Sequence, residues 1–210
     1  MTDILKALGW RYATKKFNSA KKIPNKDFDE LLEVLRLAPS SYGLQPWKFV
    51  VVKNKELRTK LREAAWNQPQ ITDASNFIVL CARTDVNENF VKKFVKSVAE
   101  TRKVSVESLK GYQDGMAGAM TKMAEEKRLE WSKKQVYLAL GMLLEAAALK
   151  KIDACPMEGF DPQKFDEILN LKKEHATATV ICALGYRAED DVTAKMAKVR
   201  FPKEEVMAEK

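Results

Sequence analysis

Apolar and polar positions alternate with two different periods along this chain, and the switches between them mark its elements. Phe28, Leu31, Leu32, Leu35 and Ala38 recur on one helical face with charges opposite, which predicts a helix opened by Asn25 and stopped at Pro39. Trp47–Val52 is short, apolar and β-branched, and reads as a strand. Asn54 then caps a helix to about Trp66. Phe77–Ala82 is a near-continuous apolar run, which suits a strand covered on both faces. Ala176–Leu184 alternates and ends at Gly185, giving another strand. A short helix from Thr2 or Asp3 through Gly9 carries Ile4, Leu5 and Leu8. Trp10–Phe17 has adjacent aromatics and cations without helical spacing, and reads as extended chain or loop.

Two long stretches differ in kind. From Val86 to Arg128 the tendency is helical but weakly patterned, interrupted by Gly111, Gly115 and Gly118. These glycines do not form G-x-G-x-x-G and no strand leads into them, so neither a Rossmann fingerprint nor a P-loop is present. Trp131–Lys150 is the strongest helix and is apolar nearly all round. Such a helix is buried, either in the middle of a monomer core or against a second subunit. Asp161-Pro162 starts a further helix to about Leu169, with proline in the first turn. The tail from Glu189 to Lys210 is charged and reads as extended. Strands alternating with helices give an α+β or α/β layer structure with a small sheet. We expect one domain over residues 1–210, with a helical excursion at about 86–128.

Composition narrows the class. The 210 residues are nearly half hydrophobic, enough for a sizeable core. No apolar run approaches a membrane span, and the N-terminus lacks the regions of a signal peptide, so a cytoplasmic protein is expected. Cys81, Cys155 and Cys182 are widely spaced in apolar contexts, as expected of buried, reduced thiols. A single histidine, His175, leaves little material for a catalytic triad or a histidine-based zinc site. The formal net charge of +8 suits either a soluble lysine-rich surface or attraction to anions. The lysines are interleaved with acids and lack the aromatic-basic clustering of an RNA binder, which favours a phosphorylated small molecule over nucleic acid.

The candidate chemistry lies in four short stretches. Ala38-Pro39-Ser40-Ser41-Tyr42-Gly43-Leu44-Gln45-Pro46-Trp47 joins a helix to a strand. Its prolines stiffen both ends, its serines offer hydroxyls and free N–H groups, and Gly43 admits backbone angles other residues avoid. It is either a ligand loop or a plain connection. Arg11 and Lys15 lie near the N-terminus, Lys198 and Arg200 near the C-terminus. In extended chain, residues i and i+2 point the same way, so Lys198 and Arg200 together would grip one phosphate.

Taken in order, Arg11-Tyr12-Ala13-Thr14-Lys15, Pro39–Trp47, Trp131-Ser132-Lys133-Lys134-Gln135-Val136-Tyr137, Cys155-Pro156-Met157-Glu158-Gly159-Phe160 and Lys198-Val199-Arg200 resemble the nitroreductase family. The resemblance covers essentially the whole chain and is nearest the oxygen-insensitive bacterial type. It implies an FMN-dependent NAD(P)H oxidoreductase on an α+β fold, a mixed sheet flanked by helices. It also implies an intertwined homodimer with exchanged C-terminal strands and two FMN molecules in the interface. By position, Arg11, Lys198, Arg200 and the backbone of Tyr12 and Ala13 would hold the FMN phosphate. Lys15 and Asn67 would meet the flavin's polar edge. Pro156, Met157, Glu158 and Gly159 would lie along the ring, with the Glu158 N–H toward N5. Pro39, Ser40, Ser41 and Gly43 would come from the other subunit. Tyr42 and Tyr112 would touch substrate. No catalytic side chain is implied, since the cofactor carries the chemistry while Lys15 and the Glu158 backbone tune it. NADH or NADPH would deliver hydride in a ping-pong cycle to a nitroaromatic or quinone acceptor. A dihydropteridine or flavin reductase, or a non-catalytic FMN storage or sensor protein, are the alternatives. Neither metal, nucleic acid nor membrane is implied. Three departures stand out: Gly43 where asparagine is frequent, Tyr42 where a smaller residue is common and could narrow the acceptor pocket, and Gln70 where a basic residue sometimes stands, which leaves the choice of NADH or NADPH open.

Overall fold

The computed structural model describes residues 2–210. Four strands form one sheet in the order β1-β2-β4-β3: β1 (Trp47–Val51), β2 (Asn76–Arg83), β3 (Asp153–Met157) and β4 (Ala176–Gly185). All three ladders are antiparallel. The mixed sheet implied by resemblance is therefore an antiparallel one within this chain. The single parallel pairing among the described residues is the isolated bridge Ala13–Ala154, which lays the N-terminal segment along β3.

The two middle strands alternate between two cores. Phe77, Val79 and Cys81 of β2 face α3 (Lys55–Glu63), α4 (Gln70–Asp73) and α8 (Pro162–Ile168), together with Leu61, Ile71 and Phe165. Ile78, Leu80 and Ala82 face α2 (Asn25–Leu37) and α7 (Glu125–Leu149), together with Phe28, Leu31, Leu35, Val136 and Leu143. The period-2 pleat and the period-3.6 helix stripe thus meet as the apolar pattern requires. Between Leu80 and Cys81 the register with β4 shifts, leaving Thr179 unopposed. Its hydroxyl accepts from the Ala82 N–H at 3.1 Å. The bulge puts Ala178 and Val180 on opposite cores despite their spacing of two.

Local capping chemistry explains most boundaries. The Asn54 side chain accepts from the Leu57 N–H, and Asp161 accepts from the Gln163 and Lys164 N–H groups, with Pro162 at the first helical position. The helix expected to reach Trp66 stops at Glu63, because Trp66 and Asn67 both take left-handed backbone. Buried Arg58 replaces the missing order there: its guanidinium donates to the carbonyls of Ile71 and Ala74 at 2.5 and 2.7 Å.

The weakly patterned region resolves into α5 (Glu88–Arg102) and α6 (Lys110–Lys122), and α7 begins at Glu125 rather than Trp131. Its apolar residues were hard to read because they serve a small separate cluster: Val91, Val95, Met116 and Met120 pack on Leu44 of the Pro39–Trp47 loop. Helix α1 (Asp3–Trp10) starts without a side-chain cap. The tail is extended but for a 3-10 turn at Val192–Lys195 and α9 (Lys203–Val206). Apolar side chains remain exposed on α7 (Leu138, Met142 and Leu149), on α1 (Ile4, Leu5 and Leu8) and along the tail (Val199, Phe201, Val206 and Met207). Among the described residues no helix is long and apolar enough to cross a membrane.

Candidate functional site

The two ends of the chain converge. Arg11, Tyr12 and Ala13, just after α1, share a cavity of about 480 Å³ with Met196, Lys198, Val199 and Arg200 of the tail. The lining includes Arg11, Lys198 and Arg200 and no acidic side chain. Lys198 is pulled onto the end of α1, where its Nζ donates to the carbonyl of Leu8 at 2.7 Å and to that of Arg11. A cation there offsets the negative end of a helix. Arg200 instead donates to its neighbour's Val199 carbonyl at 2.6 Å. The two tail cations thus share a cavity, but their tips part rather than pointing together as the i, i+2 argument expects.

One buried carboxylate ties this arrangement. Asp191, 2% exposed, accepts from the Tyr12 hydroxyl at 3.0 Å and from the Lys15 and Lys16 N–H groups at 2.9 and 3.1 Å, all on Oδ2. The Thr193 N–H donates to its other oxygen at 3.0 Å. Burial alone would raise its pKa, but the bonds from Lys16, Lys15, Tyr12 and Thr193 outweigh that and hold it below the usual carboxylate range. Tyr12 is pushed up to about 12, by burial first and by Asp191 next. A second buried carboxylate, Asp153, accepts from the Arg187 N–H and Nε at 2.8 and 2.9 Å. The Arg187 guanidinium stacks 4.4 Å from Trp10 and 4.5 Å from Tyr12.

The bridge Ala13–Ala154 aims the N-terminal segment along β3, which carries Cys155, Pro156 and Met157. Burial raises the Cys155 thiol, and the nearby charges of Lys15 and Arg11 oppose that rise. Beyond β3, Gly159 meets the loop of Trp66 and Asn67. The Gln68 amide donates to the Gly159 carbonyl at 2.6 Å. A Cβ on Gly159 would stand 2.5 Å from the Trp66 ring, so any larger residue would have to turn that ring aside. Trp66 itself is 71% exposed. The Asn67 backbone exchanges bonds with Arg62: its N–H donates to the Arg62 carbonyl at 3.0 Å and its carbonyl accepts from Arg62 Nε at 3.2 Å. The exposed Glu158 carboxylate accepts from the Tyr137 hydroxyl at 2.5 Å, and burial and this bond together raise the Tyr137 pKa.

The Pro39–Trp47 loop is held elsewhere. None of Pro39, Ser40, Ser41, Tyr42 or Gly43 lines the head–tail cavity. The Ser41 N–H donates to Gln135 Oε1 on α7 at 2.9 Å, and the Gln45 N–H to Ser40 Oγ at 2.9 Å. Tyr42, Gly43 and Gln45 all take positive φ, at 59°, 71° and 51°. The Tyr112 hydroxyl donates to the Tyr42 carbonyl at 2.9 Å, so the two tyrosines expected at substrate are neighbours.

One chain therefore brings Arg11, Tyr12, Ala13, Lys198 and Arg200 to one cavity, joins the first of these segments to β3 through the Ala13–Ala154 bridge, and leaves the serine loop out of the cavity lining. Sequence reasoning missed Asp191, Arg187, Trp66 and Gln68. Their partners lie tens of residues away or on loops, where no periodic signal exists. Gln135 and Tyr137 lay inside a recognised stretch, but only the fold shows what each one holds.

The donor set suits a phosphate. Three cations share a cavity without an acid, Arg11 Nε is buried with no hydrogen-bond partner, and burial, Arg11 and Arg200 all depress the pKa of Lys198. An anion there would relieve each of these costs. No cluster of metal-ligating side chains exists among the described residues.

An α+β sandwich with its two ends folded into one cationic cavity matches a known family. The Nitroreductase family model covers residues 8–186, and the chain belongs to that family. A Staphylococcus haemolyticus protein, provisionally named an NAD(P)H nitroreductase, is 37% identical over 215 residues, covering 97% of this chain and 95% of its own. YfkO of Bacillus subtilis, named in the same provisional way, is 39% identical over 200 residues, 90% of each. A crystal structure from Exiguobacterium sibiricum, a provisionally named nitroreductase in complex with FMN, superimposes with a TM-score of 0.86. It is 20% identical and covers 100% of this chain and 98% of its own, a likeness of fold.

Proposed function

We propose that this chain is an FMN-dependent NAD(P)H oxidoreductase that reduces nitroaromatic or quinone acceptors and works as a homodimer. The observation that carries this reading is the acid-free cavity that Arg11, Lys198 and Arg200 share, next to the N-terminal segment whose Ala13 bridges to β3. Arg11, Lys198 and Arg200, with the backbone of Tyr12 and Ala13, would hold the FMN phosphate. Lys15 and Asn67 would meet the polar edge of the ring, and Pro156, Met157, Glu158 and Gly159 would lie along it. When bound, FMN would supply the redox chemistry, with NADH or NADPH as hydride donor and a nitroaromatic or quinone as acceptor in a ping-pong cycle.

The chain's own residues bind, orient and shield. Gly159 leaves room for the Trp66 ring just beyond the end of β3. Tyr137 steadies the Glu158 carboxylate, which fixes the backbone that would offer its N–H to the ring. Lys15, whose side chain is free of acids among the described residues, adds positive charge where electrons would accumulate.

The dimer reading rests on the exposed apolar stripe of α7 and on the serine loop. In a second copy, that loop would supply Pro39, Ser40, Ser41 and Gly43 to its partner's cofactor, with Tyr42 and Tyr112 at the acceptor. The exposed, extended tail around Val199 and Phe201 suits exchange onto the partner's sheet. The whole chain would act as one domain, with α5 and α6 as its cover.

The test is reconstitution with FMN, then steady-state oxidation of NADH and NADPH in parallel, with menadione, nitrofurazone, free flavin and quinonoid dihydropteridine as acceptors. A yellow protein that turns over the first two supports the reading. A protein that stays colourless with FMN overturns it. FMN binding without turnover of any acceptor selects a storage or sensor role instead.

A further inference from the structure

A second cavity, away from the chain ends, is larger than the one they form. A cavity of about 600 Å³ opens at the other end of the serine loop, where the start of β1, the end of β2 and the helix α5 meet. It shares no lining residue with the head–tail cavity. Ligand pockets commonly fall between roughly 300 and 1,000 Å³.

Its walls have a definite chemistry. Trp47, Phe90 and Phe94 give three aromatic rings, and buried Leu44 closes one side. Asn89 and Ser97 add neutral donors and acceptors, whereas Gln45 Nε2 already donates to the Arg36 carbonyl at 3.3 Å and Asn87 Oδ1 caps α5 by accepting from the Phe90 N–H at 3.1 Å. Three cationic or titratable groups face it, Arg83, Lys93 and His175, against a single acid, Asp85. Arg83 is already committed. Its Nε donates to Asp85 Oδ1 at 2.7 Å, its Nη2 pairs with Oδ2, and its guanidinium lies 5.4 Å from the Phe90 ring. That pair neutralises the acid and stiffens the aromatic wall.

Lys93 is what remains. On α5 its neighbours Lys92 and Lys96 pair with Glu88 and Glu100, at 2.7 and 3.9 Å. Lys93, on the cavity side, has no carboxylate partner among the described residues. An aromatic wall, the polar tips of Asn89 and Ser97 and one ammonium without a carboxylate partner together suit a ligand with a flat ring and a negative group. An apolar ligand would waste those tips, and a cation would meet Lys93.

We propose that this cavity is a second small-molecule site, for a planar aromatic or heteroaromatic ring carrying an anionic group. Two sources share that chemistry: the adenylate end of a nucleotide and a free aromatic carboxylate.

The experiment is titration calorimetry on the full-length protein, with 5′-AMP and 1-naphthoate as separate probes. Lys93→Ala should weaken binding about tenfold or more, the loss expected for one charge-assisted hydrogen bond. Ser97→Trp, which fills the cavity from the exposed face of α5, should abolish it. Unchanged melting temperatures would show that both variants fold. Arg200→Ala, in the other cavity, should leave probe binding as it was. Binding of AMP alone supports a nucleotide site, and of naphthoate alone a site for aromatic acids. No binding of either probe at millimolar concentration overturns the proposal. So does binding that survives Lys93→Ala and Ser97→Trp but is lost in Arg200→Ala, since the probe then sits with the other cations.

Discussion

Replacing Asp191 by asparagine should loosen the joint between the two chain ends. The carboxylate takes three donors on one oxygen and one on the other. Asparagine offers a single acceptor oxygen. If that oxygen faces Tyr12, Lys15 and Lys16, the amide nitrogen confronts the Thr193 N–H, and one bond becomes a donor–donor clash. A hydrogen bond to a charged group contributes roughly 1.5–3 kcal/mol and a neutral one about 1. Losing one and weakening three, with allowance for shared effects, costs about 3–5 kcal/mol. At about 2–4 °C per kcal/mol for a chain of this size, the melting temperature should fall by roughly 6–20 °C. The sign with pH follows from linkage. The folded pKa lies below the unfolded one, so between the two the unfolded chain binds the proton and stability rises with pH. The contribution is complete above the ordinary carboxylate range and fades as pH falls through the folded value. Thermal unfolding from neutral pH down into acid, on wild type and Asp191→Asn, reads both effects. The variant should lose this acid-sensitive component. A variant that melts with the wild type at neutral pH, and follows it into acid, would refute the idea that Asp191 joins the two ends.

Four further outcomes are expected. Arg200→Ala should weaken FMN retention by about ten- to a hundredfold, measured by flavin fluorescence on dilution; unchanged affinity removes Arg200 from the phosphate site. Gly159→Ala should turn the exposed Trp66 ring aside, cost about 0.5 kcal/mol or less in urea unfolding and change the tryptophan fluorescence; an unchanged spectrum would mean that the ring does not lie over Gly159. Tyr137→Phe should lower stability by about 1 kcal/mol, because the bond to Glu158 is exposed, and should shift the flavin's visible absorption in the reconstituted protein; an unshifted spectrum would separate Tyr137 from the ring. Met142→Glu should convert a dimer to monomers in sedimentation if the α7 stripe is the interface, and a monomeric wild type would contradict the homodimer.

Much of the fold was legible because it depends on local period and local capping. Asn54 and Asp161 cap the helices they were expected to cap, and the apolar runs at 77–82 and 176–184 are the two central strands. The α5–α6 region was not legible, since its apolar residues answer to Leu44 more than forty positions away rather than to a sheet. Likewise the helix ending at Glu63 depends on left-handed backbone at Trp66 and Asn67, for which side-chain pattern carries no signal.

The residue types of the candidate site were in the sequence, as were their order and the family they resemble. Two arginines and a lysine near opposite ends cannot say that they meet, because nothing local couples positions nearly two hundred residues apart. The tertiary structure decided that, through a bridge between Ala13 and Ala154 and a buried carboxylate at Asp191 that gathers donors from both ends. It also decided that the serine loop does not line the cavity of its own chain. Local chemistry is written in neighbouring residues, whereas the assembly of a site is a property of which distant backbones the core allows to touch.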